Sequence, residues 1–208
     1  MKTLLILSSI LGDRSHSKEL ADHFVARTRQ FDPDGAVVVR DLANQPVPYF
    51  DGNTVGALFT PADARTAEQR EVVAFSDSLV AELFDADRIV FAVPVYNFNL
   101  PAQLKSYIDY VARAGITFRY TEQGVPEGLV KGKQVVVLIS RGGKAEGTPD
   151  DNVTPYLRQM LNFLGMEPTF IAAEGMAMGE LAVQEGVALA RQRIDALDLA
   201  AAGEAVAA

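Results

Sequence analysis

Cysteine is absent from all 208 residues, and histidine occurs only as His16 and His23. The first absence removes disulfides, thiolate nucleophiles, zinc-thiolate sites and iron–sulfur clusters together. The second makes a histidine-rich metal centre a poor expectation. No apolar run approaches the roughly 20 residues that span a bilayer. Basic residues are outnumbered, 19 Lys and Arg against 27 Asp and Glu, for a net charge of −8. An acidic chain is a poor partner for polyanions, so neither nucleic acid nor an anionic membrane is expected. The start, Met-Lys-Thr-Leu-Leu-Ile-Leu-Ser-Ser, has one Lys and a short apolar core but no small-x-small cleavage site. It reads as a buried first strand, not a secretion signal, and with no cysteine the expected location is cytoplasmic.

Several motifs are missing as well. There is no G-x-G-x-x-G dinucleotide fingerprint and no G-x-S-x-G nucleophile elbow. The stretch from Gly128 to Gln134 superficially matches a phosphate loop, but it is one residue short and precedes a strand. It reads as a turn.

What is present is ordinary globular composition, 49% apolar and 22% charged. Short buried-strand runs alternate with helical patterns. Strands are expected over 3–8, 36–39, 88–93, 134–139 and 168–173, and helices over 17–28, 66–85, 100–112, 152–164 and from 179 onward. Leu20 and Phe24 mark the inner face of the first helix; Val72, Phe75, Leu79, Val80 and Leu83 form a stripe on the second. Thr66 and Gln69 have capping-box spacing, Pro101 suits a helix start and Gly165 a helix end. This alternation predicts one α/β domain over 1–208, with helices on both faces of a five-stranded parallel sheet and an alanine-rich tail from about 199. Its expected strand order is the flavodoxin-like 2-1-3-4-5, which binds ligands beyond the strand carboxyl ends, near strands 1 and 3.

Three loops fall there. The first, after strand 1, carries Ser8, Ser9, Ser15, His16 and Ser17 up to a helix start. Free N–H groups and hydroxyls at such a start suit a phosphate; the plain alternative is N-capping by Ser15 or Ser17 alone. The second, Pro94-Val95-Tyr96-Asn97-Phe98-Asn99, offers aromatics and amides for a flat heteroaromatic ligand. The alternative is that Tyr96 and Phe98 pack while Asn99 caps the next helix. The third, Ser140-Arg141-Gly142-Gly143, allows close backbone approach, or is a plain Gly-Gly turn. Their joint placement favours a ligand. His16 lacks a partner that would make it a base, and His23 reads as an exposed helical residue. A phosphate grip and a planar slot without acid–base machinery suggest that a cofactor carries the chemistry, and FMN fits.

These segments, with Gln-Leu-Lys at 103–105, Arg-Ala-Gly-Ile-Thr-Phe-Arg-Tyr-Thr at 113–121, Gly-Leu-Val at 128–130 and Thr-Pro-Tyr-Leu at 154–157, occur in a specific order and spacing. In them the chain resembles the FMN-dependent NADH-azoreductase family, also described as FMN-dependent NADH:quinone oxidoreductases. The resemblance implies one FMN per subunit, with Ser9, Ser15, His16 and Ser17 on its phosphate and ribityl chain. Pro94, Val95, Tyr96, Asn97 and Phe98, with Ser140, Arg141, Gly142 and Gly143, would hold its ring. It implies a homodimer with sites at the subunit interface, and an aromatic substrate wall of Phe118, Tyr120 and Phe163. Phe59, in a variable loop over 52–65, would face substrate and favour flat quinones or hydrophobic dyes. The family commonly has Met at the position of Val95; both are apolar, so the flavin should still bind. The implied reaction is ping-pong: NADH or NADPH passes a hydride to flavin N5 and leaves, then a quinone is reduced to hydroquinone, or an azo compound to amines in two turns, with no side chain as catalytic group. The alternative reading is a flavodoxin-like electron carrier without reductase activity of its own; a remoter one is a flavin-free binding protein on the same fold.

Overall fold

The computed structural model describes residues 1–199; the alanine-rich tail expected from about 199 lies outside the described residues. The elements are β1 (Lys2–Leu7), α1 (His16–Thr28), β2 (Ala36–Asp41), α2 (Gly52–Phe59), α3 (Ala67–Asp85), β3 (Arg88–Pro94), α4 (Ala102–Val111), β4 (Phe118–Tyr120), β5 (Pro126–Gly128), β6 (Gln134–Ser140), α5 (Val153–Phe163), β7 (Pro168–Ala173) and α6 (Glu180–Asp195). Five strands form one parallel sheet in the order β2-β1-β3-β6-β7. Counting only those strands, this is the expected 2-1-3-4-5.

Alternation along the strands divides the core. Leu4 and Ile6, Ile89 and Phe91, and Val135, Val137 and Ile139 face one side with Leu79, Leu83, Leu104, Leu157 and Leu161 of α3, α4 and α5. Leu5 and Leu7, Val90 and Ala92, and Val136 and Leu138 face the other, with Leu20 and Phe24 of α1 and Ala190 and Ile194 of α6. Each fully buried aliphatic or aromatic side chain contributes about 1.5–3 kcal/mol. Burial on both faces explains why β3 and β6 read as unbroken apolar runs. Among the described residues, no helix is long and apolar enough to cross a membrane.

The caps act as their sequence suggests. Thr66 and Gln69 make the reciprocal capping box of α3. Gly165 takes φ +95 just beyond α5, a conformation that costs glycine little. The expected stripe of α3 is present, with Leu79, Val80 and Leu83 buried and Val72 and Phe75 partly so; Val73 and Ser76 are also buried.

Four expectations are corrected. The segment 52–65 is not simply a loop: Asp51 caps α2 through Thr54 N–H at 2.8 Å. Residues 118–128 form an antiparallel hairpin, β4 with β5, that the apolar periodicity did not reveal. The segment read as a turn from Gly128 therefore begins with the last residue of a strand. That glycine is required, because a Cβ there would meet Gly165 N at 2.0 Å. Finally, His23 is half-buried and faces Asp195 at 2.9 Å, so it joins α1 to α6 instead of standing free in solvent.

Candidate functional site

Because the large sheet is parallel, the carboxyl ends of β1, β3 and β6 lie along one edge, and the three loops meet there. After β1, Ser15 caps α1 by accepting from Lys18 N–H at 3.2 Å. Its Oγ is 3.0 Å from Ser17 Oγ, and both residues are buried. The N–H groups of His16 and Ser17, the first two of the helix, have no acceptor among the described residues. A helix start with free N–H groups attracts anions. His16 Nδ1 faces Glu19 at 3.2 Å. Lys18 is engaged by Asp22 at 2.9 Å and Asp13 at 3.5 Å; the Asp22 hydrogen bond raises its pKa above the ordinary lysine value. An anion grip here therefore comes from N–H groups and hydroxyls. A cavity of about 270 Å³ adjoins this loop, lined by Ser8, Ser9, Ser17, Lys18, Asp41 and Asn44 among others.

After β3 the chain makes an unusual turn. Tyr96 and Asn99 exchange both backbone hydrogen bonds, at 2.9 and 3.0 Å. Closing that turn drives Asn97 and Phe98 into left-handed backbone, at φ 48 and 66. Such a conformation is uncommon for non-glycine residues and costs of order 1–3 kcal/mol each. It leaves the N–H groups of Asn97 and Phe98 without acceptors among the described residues, and Phe98 77% exposed. Asn99 does not cap α4 by its side chain across the first turn; its Oδ1 accepts from Leu100, and Pro101 is the N-cap.

After β6, Ser140 O accepts from Val95 N–H at 2.8 Å, joining this loop to the previous one. Gly142 and Gly143 carbonyls accept from Ala177 and Gly175 at 3.0 Å each, so both face the β7 side. Their N–H groups, and that of Lys144, have no acceptor among the described residues. A second cavity, about 400 Å³, is lined by Val95, Asn97, Phe98, Gly142, Gly143 and Asn152 among others.

Arg141, expected with Ser140, Gly142 and Gly143 to hold a ligand ring, lines the second cavity, but its side chain is turned to internal partners. It is 5% exposed, with Nη1 3.1 Å from Asp151 and Nε 3.7 Å from Glu174. Burial pushes the Asp151 carboxyl up, but hydrogen bonds from Thr154 and Arg141 and the guanidinium charge outweigh it, leaving its pKa below the ordinary value. Asp151 and Glu174 escaped the sequence reading. Asp151 carried a signal, an Asp three residues before Thr at a helix start; Glu174 carried none, because only the sheet order brings β7 beside β6.

The three aromatics expected as a substrate wall contact one another, but not at this edge. Phe118 and Phe163 rings lie 4.4 Å apart between centroids, and Phe118 meets Tyr120 edge-on at 6.0 Å. Val153 at the start of α5 lines the second cavity, whereas Phe163 ends that helix. Ten residues of helical rise separate them by about 15 Å. Phe118, Tyr120 and Phe163 therefore line neither cavity of their own chain. Phe59, the last residue of α2 and 78% exposed, also lines neither.

The donor set fits one phosphate and one planar ring with acceptors along its edge. Buried hydroxyls and a helix start stand at one side, and unpaired N–H groups beside apolar Val95 and Phe98 at the other.

Known proteins with the same features bear directly on this geometry. The family described as having a flavodoxin-like fold matches residues 1–197. An FMN-dependent NADH:quinone oxidoreductase of Bordetella parapertussis is 77% identical over 200 residues, covering 96% of each chain. One from Pectobacterium atrosepticum is 52% identical over 198 residues, covering 94% of this chain and 98% of its own. Among solved structures, an azoreductase from Bacillus anthracis Sterne superposes with a TM-score of 0.84 at 28% identity, over 95% of this chain and all of that one. An FMN-dependent NADH-azoreductase from Bacillus anthracis Ames Ancestor, solved in complex with FMN, gives 0.82 at 25% identity, over 93% and 97%.

Proposed function

Because this chain belongs to the family of FMN-dependent NADH:quinone oxidoreductases, we propose that it is an FMN-dependent enzyme that uses NADH to reduce quinones to hydroquinones and azo compounds to amines. One observation carries this beyond family membership. Donors without acceptors among the described residues, on His16, Ser17, Asn97, Phe98, Gly142 and Gly143, converge at three neighbouring strand ends. Unpaired backbone donors gathered in one place are costly unless a ligand or solvent completes them.

FMN, when bound, supplies the two-electron acceptor and donor that the side chains lack. In this reading Ser9, Ser15, His16 and Ser17 hold its phosphate and ribityl chain. Pro94 to Phe98 wall its ring, and the Ser140–Gly143 loop donates to the ring edge. Preorganised N–H groups there favour negative charge without reorganisation. NADH and acceptor would use the same slot in turn, a ping-pong order.

The substrate wall requires a second copy of the chain. Phe118, Tyr120 and Phe163 lie about one helix length from the ligand edge, so they close a site only if a twofold partner presents them. In this reading Phe59, exposed at the end of α2, contributes to the rim of such a shared site. The enzyme is accordingly a homodimer with two equivalent sites.

An anaerobic titration tests the proposal. NADH should bleach the visible absorbance of the FMN-loaded protein, and a quinone or azo dye added afterwards should restore it. Bound flavin that NADH leaves coloured would instead indicate an electron carrier.

A further inference from the structure

The loop after β6 is anchored by a charge cluster of buried Arg141 and Asp151, which border the second cavity, and half-buried Glu174. Arg141 and Asp151 side chains are 5% and 4% exposed. A pair this dry is no source of net stability over apolar packing, so its presence calls for another reason. The geometry supplies one. Glu174 Oε1 accepts from Ala145 N–H and Glu146 N–H, both at 2.7 Å, besides lying 3.7 Å from Arg141 Nε. Asp151 Oδ1 accepts from Thr154 N–H at 3.0 Å, fixing the first turn of α5. Arg141 is thus held between the two ends of the loop. Its Nε has no hydrogen-bond partner among the described residues, so the Glu174 side of the cluster acts through charge. With the Gly142 and Gly143 carbonyls tied to residues 177 and 175, these attachments leave the N–H groups of residues 142–144 without acceptors among the described residues.

We propose that buried Arg141 and Asp151, with half-buried Glu174, form a clamp that presets the N–H groups of Gly142, Gly143 and Lys144 for the acceptor edge of a planar heterocycle. Asp151 and Glu174 are positioning residues: they act on the ligand only through the loop backbone. The inference rests on the flavin reading above.

The test compares FMN with riboflavin, which shares the ring and lacks the phosphate. Dissociation constants are measured by fluorescence for the wild type, Glu174→Ala, Glu174→Gln and Asp151→Asn, with Ser17→Ala as the phosphate-side control. Glu174→Ala should weaken both flavins by the same factor, roughly tenfold for the loss of charge-assisted hydrogen bonds. It should also make the midpoint potential of bound flavin more negative, because donors at the ring edge favour the reduced, more negative ring. Glu174→Gln keeps an acceptor oxygen for Ala145 and Glu146 and should recover most of both effects. Asp151→Asn should weaken both flavins in parallel, whereas Ser17→Ala should weaken FMN more than riboflavin. Wild-type affinity and potential in Glu174→Ala, or a loss confined to FMN, would overturn the clamp. A wild-type protein that binds neither flavin would overturn the flavin reading itself.

Discussion

The phenol oxygen of Tyr96 lies 3.1 Å from Ser9 Oγ and ties the loop after β3 to the loop after β1. It also accepts from Ile10 N–H at 3.3 Å, while Ser9 Oγ accepts from Leu11 N–H at 3.2 Å. If Tyr96 donates to Ser9, the proton of Ser9 is free to donate outward. Tyr96 then prepares a phosphate-side donor from the ring side of the site. Tyr96→Phe keeps the ring and removes only this link. FMN affinity should fall about tenfold, riboflavin affinity should change much less, and the melting temperature should stay close to wild type. Fluorescence titration with the two flavins measures this. An equal loss for both would place the Tyr96 hydroxyl on the ring, not on the phosphate loop.

The paired glycines are not equivalent. A Cβ on Gly142 would meet Ala177 Cβ at 3.1 Å, tighter than ordinary contact, while one on Gly143 meets nothing within 4 Å. Neither glycine has a left-handed φ. Gly143→Ala should therefore fold as well as wild type and lose flavin affinity, because its methyl enters the cavity it lines. Gly142→Val should lose both affinity and thermal stability. Equal melting temperatures for the two variants would show that the Ala177 contact relaxes freely.

The sheet was legible because its signal is local and redundant: strands such as Val135–Ile139 are apolar at every position, and such runs imply two covered faces. Ser15 was legible as a cap for the same reason. The hairpin at 118–128 was not, since three-residue strands carry no period, and Gly128 acquires its meaning only from Gly165 across the fold. Helix α2 was hidden by Gly52 and Gly56, poor helix formers held by an Asp51 cap and by packing on α3. At the site, the loops were legible as motifs, but the strained Asn97–Phe98 backbone and the Arg141–Glu174 approach depend on tertiary closure.

The separation of Phe163 from its own ligand edge makes a prediction about subunits. Phe163→Ala should retain FMN affinity and lose quinone turnover. Mixed and reassociated with flavin-deficient Gly142→Val, it should recover activity. The mixed dimer has one flavin-holding chain facing an intact Phe163, and random pairing yields about a quarter of wild-type activity for a twofold dimer. Sedimentation should show a dimer under the same conditions. No recovery on mixing would mean that each chain walls its own site, contrary to the placement of Phe163 at the far end of α5.

Acid should expose the Asp151 carboxylate. Its pKa lies below the ordinary value: burial opposes ionisation, and the hydrogen bonds from Thr154 and Arg141 more than offset it. For a carboxylate depressed on folding, the stabilisation is complete above the unfolded pKa, about 4, and is lost as pH falls through the folded value. Arg141 is the charged group paired with it, and Arg141 in turn lies 3.7 Å from Glu174, so protonation of Asp151 loosens the attachment of α5 to β6. Melting temperature followed downward from pH 5 should fall less steeply in Asp151→Asn than in wild type, and the two curves should converge below the folded pKa. At pH 7 the variant should be the less stable protein, because Arg141 keeps its charge and loses a charged partner. Parallel acid limbs in the two proteins would mean that Asp151 gains nothing from its ionised form on folding, and the ion pair with Arg141 would then contribute neither to stability nor to holding the loop.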